Sequence, residues 1–223
     1  MPRYIVRKSS AQPELKGQWH SSVWRSAETA LINNFHPQSV SRHPAAAAKM
    51  LRHGDNLHIL FQVQDQHVMA KCENHQDGVC RDSCVEAFLQ PKEGGSYLNF
   101  EVNCGGVILL YHIWDWTRTD KGFKGYAPVD AQWLDRIGVY HSLPKKIDPP
   151  IAEPATWQLE LRIPLALFDA HTGPLGEMGG QTWRGNFYKC GGDPAFDHWA
   201  AWSPVDELNF HQPKHFGEIH FEA

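Results

Sequence analysis

Residues 82–103, DSCVEAFLQPKEGGSYLNFEVN, put the tightest limit on what this chain can fold into. Val85, Ala87 and Leu89 alternate with Cys84, Glu86, Phe88 and Gln90. After a break, Leu98, Phe100 and Val102 alternate with Asn99, Glu101 and Asn103. A period of two puts each set on its own face of a sheet. The link 91–96 carries Pro91 and the pair Gly94-Gly95, so a hairpin is the economical connection. A hairpin symmetric about that link sets Glu86 opposite Glu101 and turns both apolar sets toward one core. Carboxylates directly opposed across strands repel. A cation, a metal or a polyol ligand would relieve that repulsion; on a wet outer face the two acids would simply splay apart in water. Glu86 and Asn103 are expected to share a polar patch on that face.

The remaining chain repeats the strand signal at short intervals. Leu57, Ile59, Phe61 and Val63 alternate with His58, Leu60, Gln62 and Gln64, behind the turn cluster His53-Gly54-Asp55-Asn56. Propensity alone would make the preceding AAAAKML helical, but a run ending on that turn pairs with the strand that follows it. Residues 107–116 (VILLYHIWDW) and 131–140 read as strands, with a polar turn region at 117–125. Trp157, Leu159, Leu161 and Ile163 form a further strand stopped by Pro164, and residues 164–169 suit one helical turn. Residues 182–190, 199–203 and 217–221 complete the set, with a turn expected at 191–197 and a short edge strand at 4–7. Ten to twelve strands with turn signals between them, and only short helical turns, predict an all-β fold. The spacing is that of a two-sheet antiparallel β-sandwich of immunoglobulin or jelly-roll type, formed by residues 1–223 as a single domain.

Composition narrows the function. A net charge of −4 leaves no basic stripe for nucleic acid. No run approaches 18 apolar residues, so no membrane span is expected, and the N-terminal residues lack an apolar signal core, so a cytoplasmic location is expected. The 5 cysteines are an odd number, which leaves at least one thiol unpaired in a monomer and leans toward a reducing compartment. Cys80 and Cys84 are not spaced as CxxC; they read as isolated structural thiols, with a zinc site as the alternative.

The segments DSCVEAFLQ, YLNFEVNCGG, WQLELRIPL, TWRGNFYKC and AWSPVDELNFHQPKHFGEIHF occur in that order. Together they resemble the family 9 carbohydrate-binding modules and their stand-alone bacterial relatives, over about 57–221. The resemblance implies a β-sandwich that binds sugar at one end without chemistry. It implies that Glu86 is the ligand-binding acid, that Asn103 is the binding amide on the next strand, and that Phe210 is one of two clamping rings. The other ring falls at or near Cys80, which cannot stack, and Glu101 stands where some members have Arg. Lys189 occupies the position of the relatives' Arg on an NFYR-type strand. Some members hold structural calcium, and the acidic loops here could do so, though without EF-type spacing.

Sugar binding needs a flat apolar ring against the C–H face and fixed polar groups for the hydroxyls. Trp114, Trp116, Trp199, Trp202 and Phe210 offer rings; Glu86, Glu101, Asn103, Lys189 and Asn209 offer polar groups. Phe210, with Trp202 as its support or partner and with Asn209 and His211 beside it, is the expected platform, because a ring on a loop can face solvent. If the two acids are opposed, a basic side chain, Lys189 or Arg162, is expected near them. The reading is non-catalytic binding of a mono- or oligosaccharide. The alternative is a glycoside-processing enzyme using Glu86 and Glu101 as a carboxylate pair, and a third is a haem-binding sandwich using Met50, Met69 and the histidines.

Overall fold

A computed structural model of the protein describes residues 1–39, 43–191 and 197–223. Among them are sixteen strands and two short helices. In chain order the strands are β1 (Arg3–Lys8), β2 (Ala30–Ile32), β3 (Asn34–Phe35), β4 (Ala45–His53), β5 (Asn56–Asp65), β6 (Val68–Ala70), β7 (Cys84–Gln90) and β8 (Tyr97–Asn103). There follow β9 (Ile108–Thr119), β10 (Gly122–Pro128), helix α1 (Ala131–Leu134), β11 (Gly138–His141), β12 (Ile147–Ile151) and β13 (Ala155–Pro164). Helix α2 (Leu165–Thr172), β14 (Thr182–Gly191), β15 (His198–Ala201) and β16 (Gly217–Phe221) complete the chain. The turn expected at 191–197 falls largely on residues outside the described set.

The strands form one large mixed sheet in the order β10-β9-β8-β7-β14-β16-β1-β4-β5-β13-β11, with β2, β3 and β15 attached and β6 paired separately with β12. The all-β expectation holds, but sixteen strands replace ten to twelve and the sheet is not purely antiparallel. The departure lies in β1, expected at an edge. Its first four residues pair in parallel with β16, and Arg7 and Lys8 pair in parallel with β4. Tyr4 and Val6 are buried in the core, and the Tyr4 hydroxyl accepts from the Met50 N–H at 2.7 Å. A strand with a buried alternating face and partners on both sides is interior by its chemistry.

The sheet folds back on itself about β1. Phe61 of β5 meets Phe187 of β14 edge-on at 6.1 Å. One buried cluster takes Val85, Ala87, Leu98 and Phe100 from one half and Ile59, Phe61 and Leu159 from the other. The alanine-rich run is strand β4, because Ala46, Ala48 and Met50 oppose Val63, Phe61 and Ile59. Small side chains facing large ones fill one layer, and this packing outweighs helix propensity. Residues 131–140, expected as one strand, divide instead between helix α1 and the start of β11, with Leu134 at the end of α1 and Ile137 just before β11 entering the core.

Lys189 ties the halves together. β14 sends Phe187 and Lys189 inward, and the fully buried Lys189 Nζ lies 3.0 Å from Asp65 Oδ2 at the end of β5. It also donates to the Cys190 carbonyl at 2.8 Å and lies 2.7 Å from His198 Nε2. Burial opposes ionisation of Asp65, but the Lys189 and His198 charges outweigh it and hold the carboxyl below its usual range. Removing one partner of such a pair leaves an uncompensated buried charge, so Lys189→Ala should cost about 3–5 kcal/mol in urea unfolding. A loss below about 1 kcal/mol would mean that the pair does not clamp the halves.

His58 supplies a pH dependence. It is fully buried on the outer face of β5, and neither ring nitrogen has a hydrogen-bond partner. Burial, then the His53 and Arg162 charges, push its pKa down to about 4. The unfolded chain takes up this proton near pH 6.5 and the folded one only near pH 4, so stability falls as pH drops through that window. This group contributes up to about 3 kcal/mol of that loss. His58→Leu should flatten the slope of melting temperature against pH between those limits; an unchanged slope would assign it to other groups.

Candidate functional site

The outer face of the β7–β8 hairpin is not wet. Glu86 pairs directly with Glu101, the register that the alternation implies, yet the two are only 3% and 6% exposed. The twelve-residue strand β9 runs on past β8 into a hairpin with β10, and β15, Cys80 and the loop 208–211 close in from the other sides. They enclose a pocket of about 340 Å³.

Its floor carries the two acids. Asn99 Nδ2 donates to Glu101 Oε1 at 2.7 Å, and the same amide's oxygen accepts from the Tyr111 N–H at 2.7 Å. Burial raises the Glu101 pKa to about 7, against the Asn99 hydrogen bond and the Arg118 charge, which lower it. Burial also raises Glu86 well above its usual range, helped by negative charge at Cys190 and Glu101. Two opposed buried carboxyls cannot both ionise cheaply, so the pair holds a proton near neutral pH.

Rings form the walls. Phe210 lies flat on Tyr188, centroids 4.0 Å apart at 11°, and the Tyr188 hydroxyl donates to the Phe210 carbonyl at 2.9 Å. Tyr188, fully buried beneath it, is therefore the support of Phe210. His211 lies against Phe123 at 4.4 Å, and its Nδ1 is 2.9 Å from the Tyr97 hydroxyl. Burial holds His211 well below its usual pKa, so its 3.9 Å approach to Glu101 joins a neutral ring and an acid. Arg118 lies over Phe123 at 4.2 Å and reaches Asn209 Oδ1 at 3.4 Å.

Glu86, Glu101, Asn209, Phe210 and His211 thus come together around one pocket. Four other expected residues stand elsewhere. Trp202 is core: it packs on Phe187 at 5.7 Å and Tyr4 at 6.4 Å, and a side chain at Gly217 would overlap its ring. Lys189 points to the opposite side of its strand, as the strand period requires. Arg162 pairs opposite Gly138 and His58, in the other half of the sheet. The cation that lines the pocket with the acids is Arg118. Asn103 shares the outer face with Glu86, but its amide donates to Asp82 Oδ2 at 2.8 Å and to the Cys72 carbonyl at 3.3 Å. Its oxygen accepts from the Gly105 and Val107 N–H groups.

Asn99 was legible, since it alternates in phase with Glu101. Arg118 and Phe123 were hidden in a stretch that reads as a polar turn, and Tyr111 in a strand whose facing the sequence leaves open; Trp199, one of the rings the sequence offers, does line the pocket. Trp114 is 51% exposed and lies outside the pocket lining.

A family model described as carbohydrate-binding family 9 matches residues 24–221. The chain belongs to carbohydrate-binding family 9. A solved structure from Bacteroides uniformis, of a candidate carbohydrate-binding protein, is 26% identical over 99% of both chains, with a TM-score of 0.83. A family 9 module from Caldicellulosiruptor kristjanssonii in complex with cellotriose is 16% identical over 100% of this chain and 94% of its own, with a TM-score of 0.62. The same organism's family 9 module with glucose is 17% identical, covering 98% and 96%, with a TM-score of 0.63. No curated protein matches the chain.

In this family 9 chain the Asn103 contacts predict a pinning role. Asp82, held by Asn103, accepts from the Lys71 and Cys72 N–H groups. Asn103→Ala should cost about 2–3 kcal/mol, because buried partners are left unsatisfied. Amide exchange at Lys71, Cys72, Gly105 and Val107 should quicken. Protection unchanged at those amides would mean that Asn103 does not pin this loop.

Proposed function

We propose that the pocket binds one end of a mono- or oligosaccharide without chemistry. The observation that carries this reading is the placement of Phe210. One ring face is spent on Tyr188, and the residue lines a pocket whose floor holds paired acids. A sugar presents a C–H face to such a ring and hydroxyls to the acids. A protonated carboxyl donates and an ionised one accepts, which suits hydroxyls of either sense. Glu101, Asn209 and Arg118 are the polar contacts of this reading, with Glu86 paired beside Glu101. A volume of about 340 Å³ lies at the low end of small-ligand sites and favours a sugar end over a flat chain surface. The family assignment supports carbohydrate as the ligand class, and the Caldicellulosiruptor kristjanssonii complexes make glucose and cellotriose the first ligands to try.

Calorimetric titration with those two sugars tests the proposal. Phe210→Ala and Glu101→Gln should each weaken binding by about tenfold or more, equivalent to about 1.4 kcal/mol. Phe210 is half-buried, so its removal should cost only about 1–2 kcal/mol of stability. Aryl glycosides should not turn over. Binding that survives both substitutions would place the sugar elsewhere, and turnover lost with Glu101→Gln would favour the carboxylate pair as catalyst.

A further inference from the structure

At the back of the same pocket lies an arrangement that shares only Glu86 with the sugar reading. Cys84 of β7 and Cys190 of β14 are direct cross-strand partners, and Glu86 follows two residues along β7 on the same face. Cys84 is fully buried, and Glu86 and Cys190 are each 3% exposed. The Cys190 thiol donates to Glu86 Oε1 at 3.2 Å. One ligand atom from each of the three residues lies within 4.8 Å of the other two, the one group with such spacing among the described residues. Glu86 and Cys190 also line the pocket, which gives an ion a way in.

We propose that Cys84 Sγ, Cys190 Sγ and a Glu86 carboxylate oxygen bind a thiophilic divalent cation of the Zn²⁺ class, with the fourth position facing the pocket. The donor set decides the metal: two sulfurs and one oxygen suit Zn²⁺, whereas Ca²⁺ and Mg²⁺ take oxygen ligands. Zn–S bonds of about 2.3 Å and Zn–O bonds of about 2.0–2.2 Å in a tetrahedron set ligand atoms roughly 3.5–3.8 Å apart. The Cys190–Glu86 contact of 3.2 Å and the 4.8 Å limit on the other spacings bracket those values, so the adjustment a metal asks of these side chains is small. Both strands are interior, paired on each side, and hold the frame. Binding releases the two thiol protons and any proton on Glu86. Two positive charges then meet three negative ones, leaving one net negative charge in a pocket lined by Arg118. Cys80 lines that pocket too, and water or its thiol completes the tetrahedron. Three acidic groups crowded into a buried wall are costly to ionise alone; a cation makes their ionised forms the favourable ones.

The test is to strip the reduced full chain with a chelator, titrate it with Co²⁺, and then displace the Co²⁺ with Zn²⁺. A single equivalent should produce thiolate-to-cobalt charge transfer and the visible bands of a tetrahedral site, both lost on adding Zn²⁺. Cys84→Ser and Cys190→Ser should each weaken binding by more than the about 10–100-fold typical of losing an outer-shell partner. Glu86→Gln, which keeps both thiols and the side-chain shape, should weaken it as well and guards against misfolded cysteine variants. Cys72→Ser should change nothing. A folded native chain without a tetrahedral signature, or a signature that persists in both Cys84→Ser and Cys190→Ser, overturns the proposal. Sugar titration is read separately: glucose bound without metal removes only this inference, and metal bound without glucose removes only the sugar reading.

Discussion

The register of β7 on β14 determines both sides of the molecule at once. Tyr188 opposite Glu86 and Cys190 opposite Cys84 face the pocket, while Phe187 opposite Ala87 and Lys189 opposite Val85 face the core. Since the side-chain period is two, a slip of one residue would exchange these sets, burying the acids in the apolar interior and losing the Asp65 pair. β14 carries the constraint along its whole length. Its first half pairs with β16 and its second half with β15, both on the side away from β7. Core and pocket are two faces of one strand arrangement, and neither can be altered without the other.

The outer face gains its character from being covered. On an open sheet Glu86 and Glu101 would be ordinary solvated acids. Here β9 with β10, β15 and the loop 208–211 remove the water, and the same two residues become desolvated groups with raised pKa values. Few partners oppose that desolvation: one amide from Asn99 and the charge of Arg118 at the margin. The site's chemistry thus arises from elements remote in sequence from the residues that carry it.

That division sets what could be read from the chain. The pairing of Glu86 with Glu101 was legible because alternation and a Gly-rich link both lie within 82–103. The β4–β5 hairpin was legible from its turn cluster, against the pull of four alanines. What closes the pocket was not, because Arg118 and Phe123 sit in polar sequence whose burial depends on where a long hairpin bends. Lys189 and Trp202 stand away from the pocket for one reason. Residue type and family position suggested a cation for the acids and a ring for the sugar, whereas facing is decided by packing: the strand period puts Lys189 on the inward side with Phe187, toward Asp65 of β5, and Tyr4 with Phe187 takes up Trp202. Membership of the family was legible from the ordered segments; the support beneath Phe210 was not, because Tyr188 lies on a strand read only as a strand.

The position of β1 bears on how the chain reaches this state. Tyr4 pairs with Ile219 and Val6 with Phe221, so an early strand lies beside a very late one. Closing a loop of that length carries a large entropic cost before any contact rewards it, and non-local pairing of this kind slows folding. During synthesis β1 can meet β4 soon after both emerge, but its other edge stays bare until β16 follows. An unpaired edge with Tyr4 and Val6 on its apolar face is a template for another chain. The joint that closes the finished sheet is thus the place where the nascent protein is most open to association, and the most useful place for a chaperone to hold.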